Sequence, residues 1–482
     1  MNKNLTSTAA LTLVSLVAAA APKQPNVLVI MTDEQNFRTI GAYRETLPEF
    51  AAYPWGKGVK SETPNLDYLA SQGALCTAYY GSKAVSSPSR SSLVSGMFPE
   101  NTDVVLNDIH MNDNIVTFAQ TLLENGYHTG YAGKWHLDGS DKPGWAPKAK
   151  FGFADNRYMF NRGHDKVIVE KDGKPMMGVN AQGKNLYAKN ASEKTFTTDY
   201  LADRTVEFIK ENSKKPFCYM LSIPDPHTPN SVREPYSEKY KSVTFERPIS
   251  ADKSKWENIP AWLIKGGKKE TGKTIIDMPN QMAAYWGMVE CIDDNMGKII
   301  KALKDEGIFE NTIIVFTSDH GDMLGEHNRD NKGLPHEGSA KVPFIIYYKD
   351  VIKPATIITE PMSNPDFTPT LLSLLGVKSD IKYDGVDCAK IFTTGKAPKG
   401  WDHKALFSFG GWVASSSGRY KMVCQIDKAT GLTKGVDPVL FDIESDPLEM
   451  KNIYGSPATK KIETELYASI VKHCNEIQFK KK

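Results

Sequence analysis

The sequence predicts an α/β protein built on a large, mostly parallel sheet, followed by a smaller α+β subdomain. Three observations carry this. Asn26 to Met31 (NVLVIM) is a continuous apolar run, as expected of a strand buried on both faces, and Thr32-Asp33-Glu34 follows at its carboxyl end. Ile313 to Thr317 (IIVFT) is a second such run, and Ser318-Asp319-His320 follows it. Beyond Val377 the texture changes to short strand-like pieces between turns. Open parallel sheets collect their functional groups at carboxyl strand ends, so the two acidic exits mark the expected site.

The intervening elements alternate as such a sheet requires. Pro88 sits just inside a helical pattern that opens with Ser89, Arg90 and Leu93, so Ser86 falls at the positive end of a helix, where an anion could be held. Ile115, Phe118 and Leu122 repeat at helical spacing, with Asn112 as the expected cap and Gly126 as the stop. Thr129 to Tyr131 and Cys218 to Ile223 are strand-like. Val289, Ile292, Met296, Ile299 and Leu303 form an amphipathic stripe ended by Gly307, read as core packing. Asp366 to Leu375, closed by Gly376, is the last helix of the main domain. Residues 405–409, 420–423 and 439–442 are the strands of the C-terminal subdomain, and Ile462 to about Ile477 is its helix. Lys- and Gly-rich stretches near 139–150, 171–185 and 263–274 read as surface loops.

Composition narrows the class. The chain has 482 residues, enough for one large domain and one small one, and a net charge of +2 without a basic block. No nucleic-acid or anionic membrane partner is expected. Residues 1–21 read as a signal peptide: Lys3 supplies the charge, Ala9 to Ala21 the apolar stretch, and Ala18 to Ala21 the small residues for cleavage. Domains are expected at 22–377 and 378–482, the location is exported and periplasmic, and no membrane anchor is expected. The six cysteines are scattered and never form C-x-x-C, against a zinc knuckle; one or two disulfides and buried free thiols both remain open.

The polar clusters suggest chemistry on an anionic ester. Asp33, Glu34 and Asp319 offer hard carboxylate oxygens suited to Ca²⁺ or Mg²⁺, with His320 a poorer match. Gly133-Lys134-Trp135-His136 and Pro226-His227-Thr228-Pro229 each follow a strand-like run, and Lys332 lies in the loop after Asp319-His320.

These clusters form an ordered set. Asn26 to Asp33, Thr63-Pro64-Asn65-Leu66-Asp67-Tyr68-Leu69-Ala70, Ser86-Ser87-Pro88-Ser89-Arg90, Gly133-Lys134-Trp135-His136-Leu137, Thr317-Ser318-Asp319-His320-Gly321-Asp322, Gly325-Glu326-His327, Lys341-Val342-Pro343 and Leu440 to Pro447 resemble, in order, the motifs of type I formylglycine-dependent sulfatases. The resemblance runs from about residue 25 to 453. It implies the alkaline-phosphatase-like α/β sandwich, and sulfate ester hydrolysis through a formylglycine (3-oxoalanine) made from Ser86. Serine at this position implies the serine-type maturating enzyme of anaerobic bacteria, hence a Gram-negative anaerobe. By the same resemblance Asp33, Glu34, the modified Ser86, Asp319 and His320 hold Ca²⁺, and Arg90 and Lys134 hold the formylglycine and sulfate. Lys332 binds sulfate near the bridging oxygen, His227 protonates the leaving alcohol, and His136 takes the proton that regenerates the aldehyde; Lys134, His227 and Lys332 thus also bind substrate.

Two departures stand out. Glu34 replaces the more frequent Asp or Gln, and Asn331 to His336 lacks the usual K-x-x-x-Y-E run. The implied substrate is a sulfated carbohydrate, a host glycan or glycosaminoglycan sugar. Trp256, Trp262, Arg157, Arg162, His110 and His336 lie in loops from which a side chain could face it. The rival reading is a phosphomonoesterase or phosphodiesterase of the alkaline phosphatase superfamily using unmodified Ser86. A non-catalytic glycan-binding protein is disfavoured because Asp33, Arg90, Lys134 and Asp319 are all present.

Overall fold

A computed structural model describes residues 24–265, 273–427 and 430–477; the expected signal peptide lies outside the described residues. Eight strands form the main sheet: β1 (Asn26–Asp33), β2 (Ala74–Cys76), β4 (His128–Lys134), β5 (Asp155–Phe160), β8 (Phe217–Pro226), β9 (Thr312–Ser318), β10 (Phe344–Tyr347) and β11 (Thr356–Ile358). Their order is β11-β2-β10-β9-β1-β8-β4-β5, and only β10 runs against its neighbours. β1 is central, with Val27 beside Cys218 on one side and Ile313 on the other.

The apolar runs are explained by the layers that cover them. Val27, Val29, Met31, Ile313 and Val315 face a layer holding Leu93, Phe118, Leu122, Phe367 and Leu371. Leu28, Ile30, Ile314 and Phe316 face the other way, onto Leu201, Phe208, Ile292, Met296 and Leu303. Both faces are dry, so alternation would have left polar groups in hydrocarbon. The fold is the expected α/β sandwich. Two short strands, β3 (Tyr79–Tyr80) and β12 (Met362–Ser363), pair beside it.

The smaller unit is the antiparallel sheet β13 (Ala405–Phe409), β14 (Trp412–Ser416), β15 (Tyr420–Gln425) and β16 (Val439–Asp442). Helix Lys460–Ile477 packs Leu466, Ile470 and Cys474 on one face. The other face meets the main body, where Phe407 stacks on Tyr80 with ring centroids 4.4 Å apart. Buried Lys421 bridges Glu337 at 2.8 Å and Glu449 at 2.5 Å across this seam.

Several expectations need correction. The helix expected from Ile115 capped by Asn112 is Phe118–Glu124, capped by Thr117, whose hydroxyl accepts from the Gln120 N–H at 3.2 Å. The apolar Ile115 just before it obscures this cap in the sequence. Residues 171–185 are not all loop: β6 (Ile168–Lys171) and β7 (Lys174–Met177) form a hairpin across Asp172-Gly173, both at positive φ. The stripe from Val289 lies in a longer helix, Pro279–Asp305, started by proline at its first position. Leu263, expected in a loop, is buried within helix Ala261–Lys265; residues 266–272 of that stretch lie outside the described residues. All six cysteines are buried and unpaired. Among the described residues no helix is long and apolar enough to cross a membrane.

Candidate active site

The carboxyl ends of β1, β4, β8 and β9 converge as predicted. Asp33 ends β1 and Asp319 follows β9, both fully buried. Ser86 opens helix Ser86–Ser95, placing its hydroxyl at the positive end, and Arg90 lies one turn further on the same face. The Ser86 hydroxyl donates to His320 Nε2 at 2.9 Å, and His320 Nδ1–H donates to the Gly321 carbonyl at 3.0 Å, which fixes the tautomer.

Arg90 is the hub. Its Nε donates to Asp319 Oδ2 at 2.9 Å, and one terminal nitrogen lies 3.3 Å from Asp33 Oδ2. The other donates to the Lys134 carbonyl at 2.9 Å and Ser222 Oγ at 2.7 Å. Lys134 donates to Asp33 Oδ2 and contacts His164 Nε2 at 2.8 Å. Gly133 makes this possible: at φ +101° it sits against β8, and an added Cβ would meet the Ser222 carbonyl oxygen at 1.8 Å.

Two non-glycine residues at the strand exits take the left-handed conformation, Glu34 at φ 66° and His136 at φ 63°. Such positions cost about 1–3 kcal/mol and persist where surroundings over-determine them. The Glu34 N–H donates to Asp319 Oδ1 at 3.1 Å and its carbonyl accepts from Tyr285 Oη at 2.7 Å. The His136 N–H donates to the Asn161 carbonyl at 2.6 Å, and its Nε2–H to Asp108 Oδ1 at 3.1 Å, leaving Nδ1 without a partner.

The fit to a hard cation can be tested on unpaired oxygens. Asp33 Oδ1 is buried and accepts no hydrogen bond, whereas the buried oxygens of Glu34 are met by protein cations, Oε2 lying 2.9 Å from His227 Nε2 and Oε1 3.5 Å from Lys332 Nζ. A buried carboxylate oxygen without a donor is costly unless a cation meets it, and Asp33 Oδ1 is such an oxygen. Asp33, Asp319 and His320 offer ligand atoms close enough to share one ion. Oxygen donors of this kind suit Ca²⁺ or Mg²⁺.

A cleft of ≈ 170 Å³ opens above, lined by Ser86, Lys134, His136, His164, His227 and Lys332, with Asn107, Asp108, Lys142, Gly163 and Arg162 completing it. Its electrostatics follow from burial against charge. Burial pushes Asp33 and Glu34 up, but Lys134 and His227 beside the first, and His227 and Lys332 beside the second, hold both well below the ordinary carboxylate range. Burial lowers His136 and His164 well below the usual imidazole value, reinforced by Lys134. His320 is lowered to about 4 by burial, against the pull of Asp319. Burial lowers Lys134 as well, while Glu34, Asp33 and Asp319 overcome it at Lys332 and raise that ammonium.

All the sequence-predicted site residues are therefore brought together: Asp33, Glu34, Ser86, Arg90, Lys134, His136, His227, Asp319, His320 and Lys332. The loop candidates divide. Arg162 lines the cleft, paired with Asp108 at 3.0 Å. His336 does not face it: the ring is buried 4.1 Å from that of His327, because it precedes helix Glu337–Ala340 in the core. Trp256 packs near His327, Trp262 donates to the Asp437 carbonyl, and Arg157 pairs with Asp155. His110 is held between Asp113 and Asp138 outside the cleft lining. Sequence reasoning missed His164. It stacks flat on His227, centroids 3.7 Å apart, four residues after β5.

A buried nest of carboxylates beneath a cationic cleft, at the carboxyl ends of a doubly covered sheet, is the apparatus of a hydrolase for anionic esters. The chain belongs to the sulfatase family: the family model "Sulfatase" matches residues 25–377, and "N-sulphoglucosamine sulphohydrolase, C-terminal" matches 325–476. It is a sulfatase enzyme. It is 26% identical to N-acetylglucosamine-6-O-sulfatase of Bacteroides thetaiotaomicron, over 94% of this chain and 87% of that one. It is 27% identical to the ulvan-active sulfatase of Formosa agariphila, over 95% and 82%. The crystal structure of yidJ from Bacteroides fragilis superposes with a TM-score of 0.73 at 26% identity, covering 96% of this chain and 98% of that one.

Proposed function

We propose that this protein removes sulfate from a sulfated carbohydrate, with Ser86 as the residue oxidised to formylglycine and Asp33, Glu34, Asp319 and His320 as the holders of Ca²⁺. The observation that carries the reading is Ser86 in contact with His320 beside the buried Oδ1 of Asp33, which accepts no hydrogen bond. When present, the hydrated aldehyde supplies the nucleophile and the cation withdraws charge from it and from the sulfate.

The chain's own residues do the rest. Lys134 and Lys332 offer ammonium groups to the sulfate oxygens, where negative charge must be met as the S–O bond breaks. Arg90 holds Asp33 and Asp319 so that Asp33 keeps Oδ1 free while Oδ2 is occupied. His227 Nε2, 3.0 Å from Lys332 Nζ, faces the cleft and protonates the leaving alcohol. His136 is kept neutral with Nδ1 unpartnered, the state a base needs to take the proton from Ser86's modified side chain. The carbohydrate substrate is supported by the named activities of the relatives.

The rival phosphomonoesterase or phosphodiesterase reading, with unmodified Ser86 and a second metal ion beside it, is disfavoured by one feature. Asp33, His164 and His227 form a second donor set, but the ammonium groups of Lys134 and Lys332 already meet it. The test is sulfate release from a panel of sulfated sugars by protein matured alongside a serine-type maturating enzyme. Release by the native enzyme and none by a folded Ser86→Ala variant is expected. Undiminished release by Ser86→Ala, or phosphate ester cleavage without sulfate release, would reject the proposal.

A further inference from the structure

The cleft does not end at the sulfate-binding lysines. A second hollow of ≈ 260 Å³ adjoins it and shares Lys142 and His164 as common wall. Its remaining lining includes Asp165, Asn185, Tyr187 and Ser231. Asn185 and Tyr187 come from the segment after the β6–β7 hairpin, which the main sheet does not need for its core.

Three features of this hollow suit a ligand. Tyr187 is 70% exposed, the most exposed of the large hydrophobic side chains described. An aromatic ring left in water beside a ligand cleft is a platform for an apolar or sugar face. Asp165 and Asn185, both in the lining, hydrogen-bond to each other, which holds a carboxylate and a side-chain amide in place there. Lys142, exposed between the two hollows, has no carboxylate partner among the described residues.

We infer that this hollow is a second sugar subsite, which takes the residue next to the sulfated one, and that this neighbour is an anionic sugar of the hexuronate type. Tyr187 stacks against its ring face, Asn185 and Asp165 meet its hydroxyls, and Lys142 meets its carboxylate. The inference rests on the carbohydrate sulfatase reading and narrows it: the natural substrate is a chain of at least two sugars, not a sulfated monosaccharide.

Matched pairs test this. Each pair is a monosaccharide sulfated at the 2-, 4- or 6-position and the hexuronate-containing disaccharide with the same sulfated unit. For the pair that is turned over, kcat/KM is expected to be about tenfold or more higher for the disaccharide. Tyr187→Ala should remove about tenfold of that preference, the scale of one aromatic contact. Lys142→Ala should reduce it similarly; Tyr187→Ala, at a residue outside the catalytic cleft, should leave the monosaccharide rate within about twofold, and both variants should leave the melting temperature unchanged. Equal kcat/KM for both sugars in the native enzyme, or a Tyr187→Ala variant that slows both sugars alike, would overturn the subsite while leaving the sulfatase reading intact. Absence of sulfate release from every sugar would overturn the carbohydrate reading and the subsite with it.

Discussion

Replacing Arg90 by alanine removes the cation that two buried carboxylates share. Its side chain is 2% exposed, and those of Asp33 and Asp319 are fully buried. It contributes contacts of 2.9 and 3.3 Å to the carboxylates and two further hydrogen bonds, to the Lys134 carbonyl and Ser222 Oγ. Breaking a buried ion pair from one side costs about 3–5 kcal/mol, because the stranded charge stays in a poorly solvated site. Arg157 gives the contrast: its pair with Asp155 is mostly exposed, and such pairs contribute about 0.2–1 kcal/mol. Urea unfolding of both alanine variants should therefore differ by roughly 2–5 kcal/mol, with Arg90→Ala the weaker. Millimolar Ca²⁺ should recover part of the Arg90→Ala loss, because a cation binding Asp33 and Asp319 supplies the missing charge. A loss under about 1 kcal/mol, or no response to Ca²⁺, would refute the claim that Arg90 and a cation share these carboxylates.

The same geometry sets further outcomes. Gly133→Ala should lower stability by about 1–3 kcal/mol and sulfate release far more, since β4 must retreat from Ser222 and carry Lys134 with it; retained turnover would contradict this. Burial holds His336 neutral in the fold, its value well below the usual one, while the unfolded chain takes up a proton near pH 6.5. The contribution of His336 to stability is then lost as pH falls below 6.5, at up to about 1.4 kcal/mol per unit. Neither ring nitrogen of His336 has a hydrogen-bond partner, so His336→Phe should flatten that slope with little cost at pH 7, and an unchanged slope in the variant would argue against it. Chelation with EDTA should abolish sulfate release, and Ca²⁺ should restore it; full activity in the chelated enzyme would exclude the cation from the mechanism.

Much of the site was legible because its residues leave strands whose apolar runs are unmistakable. Asp33 and Asp319 come directly after NVLVIM and IIVFT, and sheets of this kind gather functional groups at the exits of such runs. His164 escaped for the complementary reason. It comes after β5, an edge strand that opens with Asp155, Asn156 and Arg157 and so does not read as an apolar run. Applying the strand-exit rule to Tyr158-Met159-Phe160 would have found it. The strands β2 and β11 at the opposite side of the sheet are three residues each, too short for periodicity to register. His336 misled because its neighbours Gly333 and Pro335 read as loop, whereas burial there is imposed by the C-terminal sheet, far away in sequence.

The measurement closest to the centre is the mass of the tryptic peptide Ala84–Arg90 from protein produced anaerobically with a serine-type maturating enzyme. The account expects that peptide to be lighter by two hydrogens, with the loss mapped to Ser86. An unaltered serine in enzyme that releases sulfate at full rate would contradict it.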